Sequence, residues 1–351
     1  MRIGIPSETK TLEGRVGLVP AACADLVRAG HEVFIQKGAG IKSGFADEEY
    51  ERFGVKIQPD AAALYGAAEM IVKVKEPIEG DLKHLRKEHL LFCYLHLAAE
   101  PKLTEALVDI GLTGVAFETV EEADGSLPLL APMSIIAGRI ATQVGTHLLH
   151  QPQGGAGILL GGLPSTDRGK VVVLGAGAAG GNSAQLAAAM GATVVVFDKR
   201  QDRLAEMMNL GPNVTALYPY EQVVAKHIAE ADLAIGAVLV TGARAPHVIS
   251  KEMVASMREG SVIVDISVDQ GGCVETTRPT TYAEPTYVWE GVTHMNVTNM
   301  PGAVPRTASQ ALSAAVQPYL VKLASDGWEN YEPLRRGVNV RDGQIVHPAL
   351  K

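Results

Sequence analysis

The string Gly175-Ala176-Gly177-Ala178-Ala179-Gly180 follows the apolar run Val171-Val172-Val173-Leu174 directly and precedes a stretch of small residues. In that context, strand then turn then helix, a GxGxxG can cradle a pyrophosphate. Gly175 permits the tight turn, Gly177 lets phosphate approach the backbone, Gly180 lets helix pack on strand, and the helix amino terminus attracts negative charge. The next apolar run ends in Asp198, 23 positions after Gly175, close to the offset at which an acid accepts ribose hydroxyls. A carboxylate there repels a 2′-phosphate, so NAD is the expected cofactor. Lys199, Arg200 and Arg203 follow closely, and an arginine in that loop is the feature that would admit NADP instead.

A second set of residues comes from a topological rule: open α/β sheets bind ligands outside the carboxyl ends of their strands. The rule selects Lys75 after MIVKV, His96 after LLFCYL and Asp269 after SVIVDIS, with Arg15 in the turn region behind the first apolar run. Arg and Lys can clamp a small anionic substrate by its carboxylate while His moves a proton. Each has a plainer reading: His96 as a surface or core residue, Lys75 as a solvated charge beside Lys73 and Glu76, Asp269 as a cap or turn.

The elements that would position these groups form two series. RIGIP, EVFIQ, MIVKV, LLFCYL and TGVAFE recur through the first 125 residues; KVVVLG, TVVVFD, DLAIGAVL, SVIVDIS and THMNVTN follow from Lys170. Pro20 to Gly30 has Pro near a helix start and Gly past its end. Strand, helix, strand implies parallel sheets, hence an α/β fold of two doubly wound, Rossmann-like domains with a cleft between them. The expected division is 1–127 plus 306–351 for substrate chemistry and 128–305 for the nucleotide. Between the series Ser134 is placed as the cap of a helix from about Ile135 to His150. Thr307 to about Ala324 is expected to be helical with an interruption at Pro318 and to return to the first domain, its Leu312, Val316 and Leu320 read as core. The tail GVNVRDGQIV reads as a hairpin turning at Asp342-Gly343.

Bulk composition narrows the function classes. With 351 residues, 47% hydrophobic and 20% charged, the chain suits about two packed domains and excludes disorder. A net charge of −8 offers no global attraction for nucleic acid or anionic lipid. Cys23, Cys93 and Cys273 are 70 and 180 positions apart, which suggests neither a disulfide framework nor a metal site and fits a reducing cytoplasm. No export signal and no window of about 18 apolar residues is read, so no membrane partner is expected.

The motifs EGRVGLVP, KVKEP, YLHLAA, APMS, GGLP, IGAVL, VDQGG and NMPGAVPRT, in this order nearly end to end, resemble bacterial L-alanine dehydrogenases. Related transhydrogenase alpha subunits share the opening RIGIP but usually lack the His of YLHLAA; a transhydrogenase-like hydride carrier and a non-catalytic NAD-sensing protein are the alternative readings. The resemblance implies reversible NAD-dependent oxidative deamination of L-alanine to pyruvate and ammonia, generally in a homohexamer. By residue matching it implies His96 and Asp269 as the catalytic pair, and Arg15 and Lys75 as contacts of the substrate carboxylate and carbonyl. It places Ser134, Ala178, Asp198, Arg203, Leu239, Arg278, Val297, Asn299 and Met300 along the cofactor, beside the strand-end positions Gly175, Gly177, Gly180, Val238, Ile266 and Asp269. PSETK, MSIIAGR, Met295 and Thr298 depart from the common family pattern, and such changes at a pocket rim could admit serine, glycine or 2-aminobutyrate, since one methylene discriminates by only about 1–3 kcal/mol. Two expectations are spatial: residues 96 and 269 meet across one crevice, and hinge motion arises near 125–134 and 299–307.

Overall fold

Fifteen strands assigned among residues 1–238 and 245–350, the part of the chain that the computed structural model describes, form two sheets. The first series supplies β1 (Arg2–Ile5), β2 (Glu32–Gln36), β3 (Lys56–Gln58), β4 (Met70–Val72), β5 (Leu90–Cys93) and β6 (Thr113–Ala116). The second supplies β7 (Lys170–Leu174), β8 (Thr193–Phe197), β9 (Val214–Leu217), β10 (Leu233–Gly236), β11 (Val262–Asp265), β12 (Thr286–Trp289) and β13 (Val292–Met295). The tail adds β14 (Val338–Arg341) and β15 (Gln344–Ile345). Contacts divide the chain into Met1–Met133 with Gly302–Lys351, and Ser134–Pro301.

In the first unit the order is β15-β14-β6-β5-β4-β1-β2-β3. β1 to β6 pair in parallel, and β14 closes the β6 edge antiparallel. The direction of winding reverses between β1 and β4, which is where such a sheet opens a crevice at its carboxyl edge. Ile3, Ile5, Ile35, Ile71, Val72, Leu91 and Phe92 are fully buried, as expected of parallel strands covered on both faces. The helix Pro305–Leu323 belongs to this unit, and its Leu312, Val316 and Leu320 are core. Its buried Ser309 and Ser313 accept the backbone N–H groups of Val16 and Val19 at 3.0 and 3.1 Å, which ties the loop behind β1 in place.

The second unit has the order β12-β13-β11-β10-β7-β8-β9, parallel except at β12, and reverses between β7 and β10. Val171, Val172 and Val173 are fully buried. The small residues of helix Ala178–Ala189 let a second helix come close: a Cβ on Gly138 would sit 2.0 Å from the Ala179 carbonyl oxygen. Ser183 donates its hydroxyl to the Gly138 carbonyl at 2.8 Å, and Thr142 donates to the Ser183 carbonyl at 3.1 Å.

Two local expectations are corrected. The helix spans Ala131–Leu148, so Ser134 lies inside it rather than capping it. Pro132, which has no N–H to satisfy and a preset φ, suits the first turn and lets the helix begin earlier. Pro318 does not interrupt Pro305–Leu323. An interior proline costs about 3 kcal/mol, and the buried Leu312, Val316, Leu320 and Leu323 packed along that helix outweigh it. The tail hairpin forms as read, with Asp342 and Gly343 at φ 51° and 75°, the pair of left-handed residues that a tight two-residue hairpin requires. All three cysteines are buried and unpaired with one another.

Candidate active site

The loop behind β1 runs across the end of β4. A Cβ on Gly17 would lie 2.8 Å from the Val72 carbonyl oxygen, so only glycine allows this approach. Arg15 is thereby held at the carboxyl edge of the first sheet with its side chain only 2% exposed. Its Nε and Nη2 donate to the two oxygens of Glu13 at 2.7 and 2.6 Å, and its Nη1 approaches the Met133 sulfur at 3.2 Å. Burial pulls the Arg15 guanidinium down, but the paired Glu13 carboxylate more than offsets this and leaves it above its ordinary value.

Lys75 follows β4 with its side chain 17% exposed and its Nζ 3.8 Å from Glu76 Oε2. Glu8 accepts the Val74 N–H at 2.6 Å and, more weakly, the Lys75 N–H at 3.4 Å. Beneath it the buried Lys73 ammonium lies 3.5 Å from Glu8 and 3.2 Å from Asp81. Burial pushes the Glu8 carboxyl up; Lys73, pulled down by burial, is raised overall by its two carboxylates.

His96, behind β5, is half-buried in a left-handed conformation at φ 52°. That region is sparsely used by residues other than glycine, and such strain persists only where surroundings hold it. Here Glu118, from the turn behind β6, accepts the His96 N–H at 2.6 Å and the Leu95 N–H at 3.2 Å. The Tyr94 ring stacks on the imidazole, centroids 5.8 Å apart and planes within 9°, while its hydroxyl donates to the Leu129 carbonyl at 2.6 Å. Arg15, Lys75 and His96 therefore come from three different strand ends of one sheet edge.

The second sheet carries the other candidates. Gly175 has φ 95°, and a Cβ there would strike the Ala237 carbonyl oxygen at 2.4 Å. On Gly180 it would sit 1.7 Å from the Gly175 oxygen, whereas on Gly177 it would meet only the Arg203 guanidinium at 3.5 Å. The first and third glycines serve packing; the second leaves backbone open, at the amino end of the helix that Ala178 begins. Asp198, behind β8, accepts the Ala176 N–H at 2.7 Å and the Arg200 N–H at 2.8 Å, with Arg203 Nη1 at 3.7 Å. The residues therefore fit a dinucleotide, with a free cradle and an acid anchored beside it.

Val238 behind β10, Ile266 and the exposed Asp269 behind β11, and Val297, Asn299 and Met300 beyond β13 share this carboxyl edge. Arg278 reaches it from the preceding loop, its carbonyl 3.4 Å from Asn296 Nδ2 and its guanidinium 4.2 Å over the Tyr287 ring. Ser134 lies in the helix Ala131–Leu148. Leu239 lies outside the described residues. Asp269 thus groups with the nucleotide candidates and is not among the groups of the first sheet.

The family-model description "Alanine dehydrogenase/PNT, N-terminal domain" matches residues 4–137, and "Alanine dehydrogenase/PNT, C-terminal domain" matches 141–348. The chain belongs to the alanine dehydrogenase/PNT family. It is 46% identical to an alanine dehydrogenase of Geobacillus stearothermophilus, covering 100% of this chain and 95% of that one, and 45% identical to one of Mycobacterium tuberculosis over 99% and 95%. A solved structure titled L-alanine dehydrogenase superposes with a TM-score of 0.96 at 50% identity, covering 100% and 98% of the two chains. A transhydrogenase from Sinorhizobium meliloti superposes at 0.86 with 25% identity, over 99% and 100%.

Within this member of the alanine dehydrogenase/PNT family, several groups that shape the site escaped the strand-end rule. Glu8, Glu13 and Glu118 act on the candidates through their backbone or charge, and Asp265 is itself the last residue of β11. Asp265 is fully buried. It accepts N–H groups of Ser267, Cys273 and Val274 at 3.0, 2.9 and 3.1 Å and the Thr277 hydroxyl at 2.6 Å. Burial pushes its carboxyl up, and those donors pull it back. Glu118 could have been found by applying the rule to the turn behind β6; the others carry no sequence signal beyond being acidic.

Proposed function

We propose that this chain is an NAD-dependent L-alanine dehydrogenase that interconverts L-alanine with pyruvate and ammonia. The observation that carries the reading is the gathering of Arg15, Lys75 and His96 at one switch point of a chain whose other sheet carries an open GxGxxG cradle, supported by the family's whole-chain likeness. Gly175, Gly177, Ala178, Gly180 and Asp198 would hold NAD, with Ser134, Arg203, Val238, Leu239, Ile266, Arg278, Val297, Asn299 and Met300 lining it. Asp198 favours NAD over NADP because its carboxylate would face the 2′-phosphate. NAD, when bound, is the acceptor and donor of the hydride.

The chain's own residues do the rest. Arg15, held flat by Glu13, and Lys75 neutralise the substrate carboxylate and the 2-oxo oxygen. Loss of hydride from Cα leaves an imine. His96 takes a proton from the water that adds to the imine carbon and returns one to the departing nitrogen, a task for which an imidazole is suited near neutral pH. Asp269 is assigned to oppose the positive charge of the imine and of the ammonium.

The test follows NADH absorbance with pyruvate, with and without ammonium. Oxidation that requires ammonium is expected; oxidation without it, or hydride passed to a second nicotinamide, would favour the transhydrogenase-like reading. Parallel runs with NADPH should be slower, and equal rates would overturn the cofactor preference. Runs with glyoxylate, hydroxypyruvate and 2-oxobutyrate define how strictly the side chain is read. His96→Ala should lower turnover by about a hundredfold or more while NADH still binds, measured by its fluorescence; a near-native kcat would remove His96 from the mechanism.

A further inference from the structure

Glu76 is a buried carboxylate whose two oxygens are used unequally. Its Oε1 takes the ammonium of Lys10, from the loop behind β1. Its Oε2 is buried, makes no hydrogen bond among the described residues, and has the Lys75 ammonium 3.8 Å away. The groups whose charge acts with it are Lys10, Lys75, His96 and the buried Cys93, with Lys73 and Glu8 directly beneath the same strand end. Pro77 follows Glu76, and Glu8 holds the Val74 N–H before it, so the carboxylate is fixed from both sides.

A lysine carries its charge on a flexible four-carbon stem, and the ammonium wanders unless something orients it. We propose that Glu76 is a positioning residue for Lys75: its Oε2, which makes no hydrogen bond among the described residues, faces the Lys75 ammonium at 3.8 Å and orients it, so that a cation stands ready for the 2-oxo acid. This rests on the reading of Lys75 as a substrate contact. Burial pushes the Glu76 carboxyl up, but Lys75, Lys10 and His96 together bring it below its ordinary value, so it carries the negative charge the role needs.

The experiment uses the full chain and two readouts. The first needs no turnover: the rate at which acetic anhydride acylates the Lys75 amine at fixed pH, followed by peptide mass spectrometry. Glu76→Gln should speed that acylation several-fold, roughly threefold to tenfold, because the ammonium loses its counter-ion. Lys10→Met, a change at the loop, should slow it, because Glu76 is then left to Lys75 alone. In the second readout Glu76→Gln should raise the pyruvate KM about tenfold or more with NADH binding unchanged, and Glu76→Asp should recover much of the loss. Unchanged Lys75 labelling in both Glu76→Gln and Lys10→Met would overturn the proposal. If Glu76→Gln does not fold, Lys10→Met alone decides it: slower labelling supports the pairing, and unchanged labelling overturns it. Labelling that shifts as stated in a protein without ammonium-dependent activity would sink the dehydrogenase reading and leave the Glu76–Lys75 pairing standing.

Discussion

Gly175, Gly177 and Gly180 read alike in a string, yet the structure separates them by what an added methyl would meet. On Gly180 that atom would overlap a carbonyl oxygen at 1.7 Å; on Gly177 it would find only a flexible guanidinium at 3.5 Å. Gly180→Ala must therefore displace backbone, and overpacking of this kind costs typically about 1–3 kcal/mol or more. Gly177→Ala should change stability by no more than about 0.5 kcal/mol and act instead on the ligand, weakening NAD about tenfold or more by filling the cradle. Melting curves and NADH titrations of the two variants check this: equal stability losses, or a Gly177→Ala chain with native NADH affinity, would refute the division of roles. His96 shows the same lesson from the other side, since its left-handed backbone is held by a carboxylate 22 positions away in sequence and no local pattern signals it.

At the scale of elements, the central strands were legible because parallel strands covered on both faces must be apolar throughout. The edge strands β3, β9 and β12 were not, because KIQ, VTAL and TYVW are short and half-exposed and depend on a neighbour already in place. The turn behind β11 is held by a side chain that the strand itself contributes. Asp265 gathers the turn that carries Asp269 by taking three N–H groups and a hydroxyl. In Asp265→Asn the amide turns donors toward donors, at about 1–3 kcal/mol for each group left unsatisfied. Hydrogen exchange at the Ser267, Cys273 and Val274 amides should quicken well beyond that of β11, and native protection there would show that the carboxylate is not what holds the turn.

At the scale of the whole molecule, the homohexamer that the sequence resemblance implies predicts a mass six times that of the chain in light scattering or sedimentation; a monomer at working concentration would overturn that. None of the described helices is long and apolar enough to cross a membrane. By itself the sequence determined the two strand series, the nucleotide fingerprint with its acid, and the candidate cations and imidazole, because those depend on periodicity, glycine sterics and position at strand ends, all of which are local. Only the tertiary structure decided that Pro318 stays within its helix, that Ser134 is not a cap, and that Lys75 is a withdrawn charge beside Glu76 rather than a solvated one. Each of these turns on the burial and close partners supplied by distant segments, where several weak packing and charge terms outweigh a local preference of a few kcal/mol.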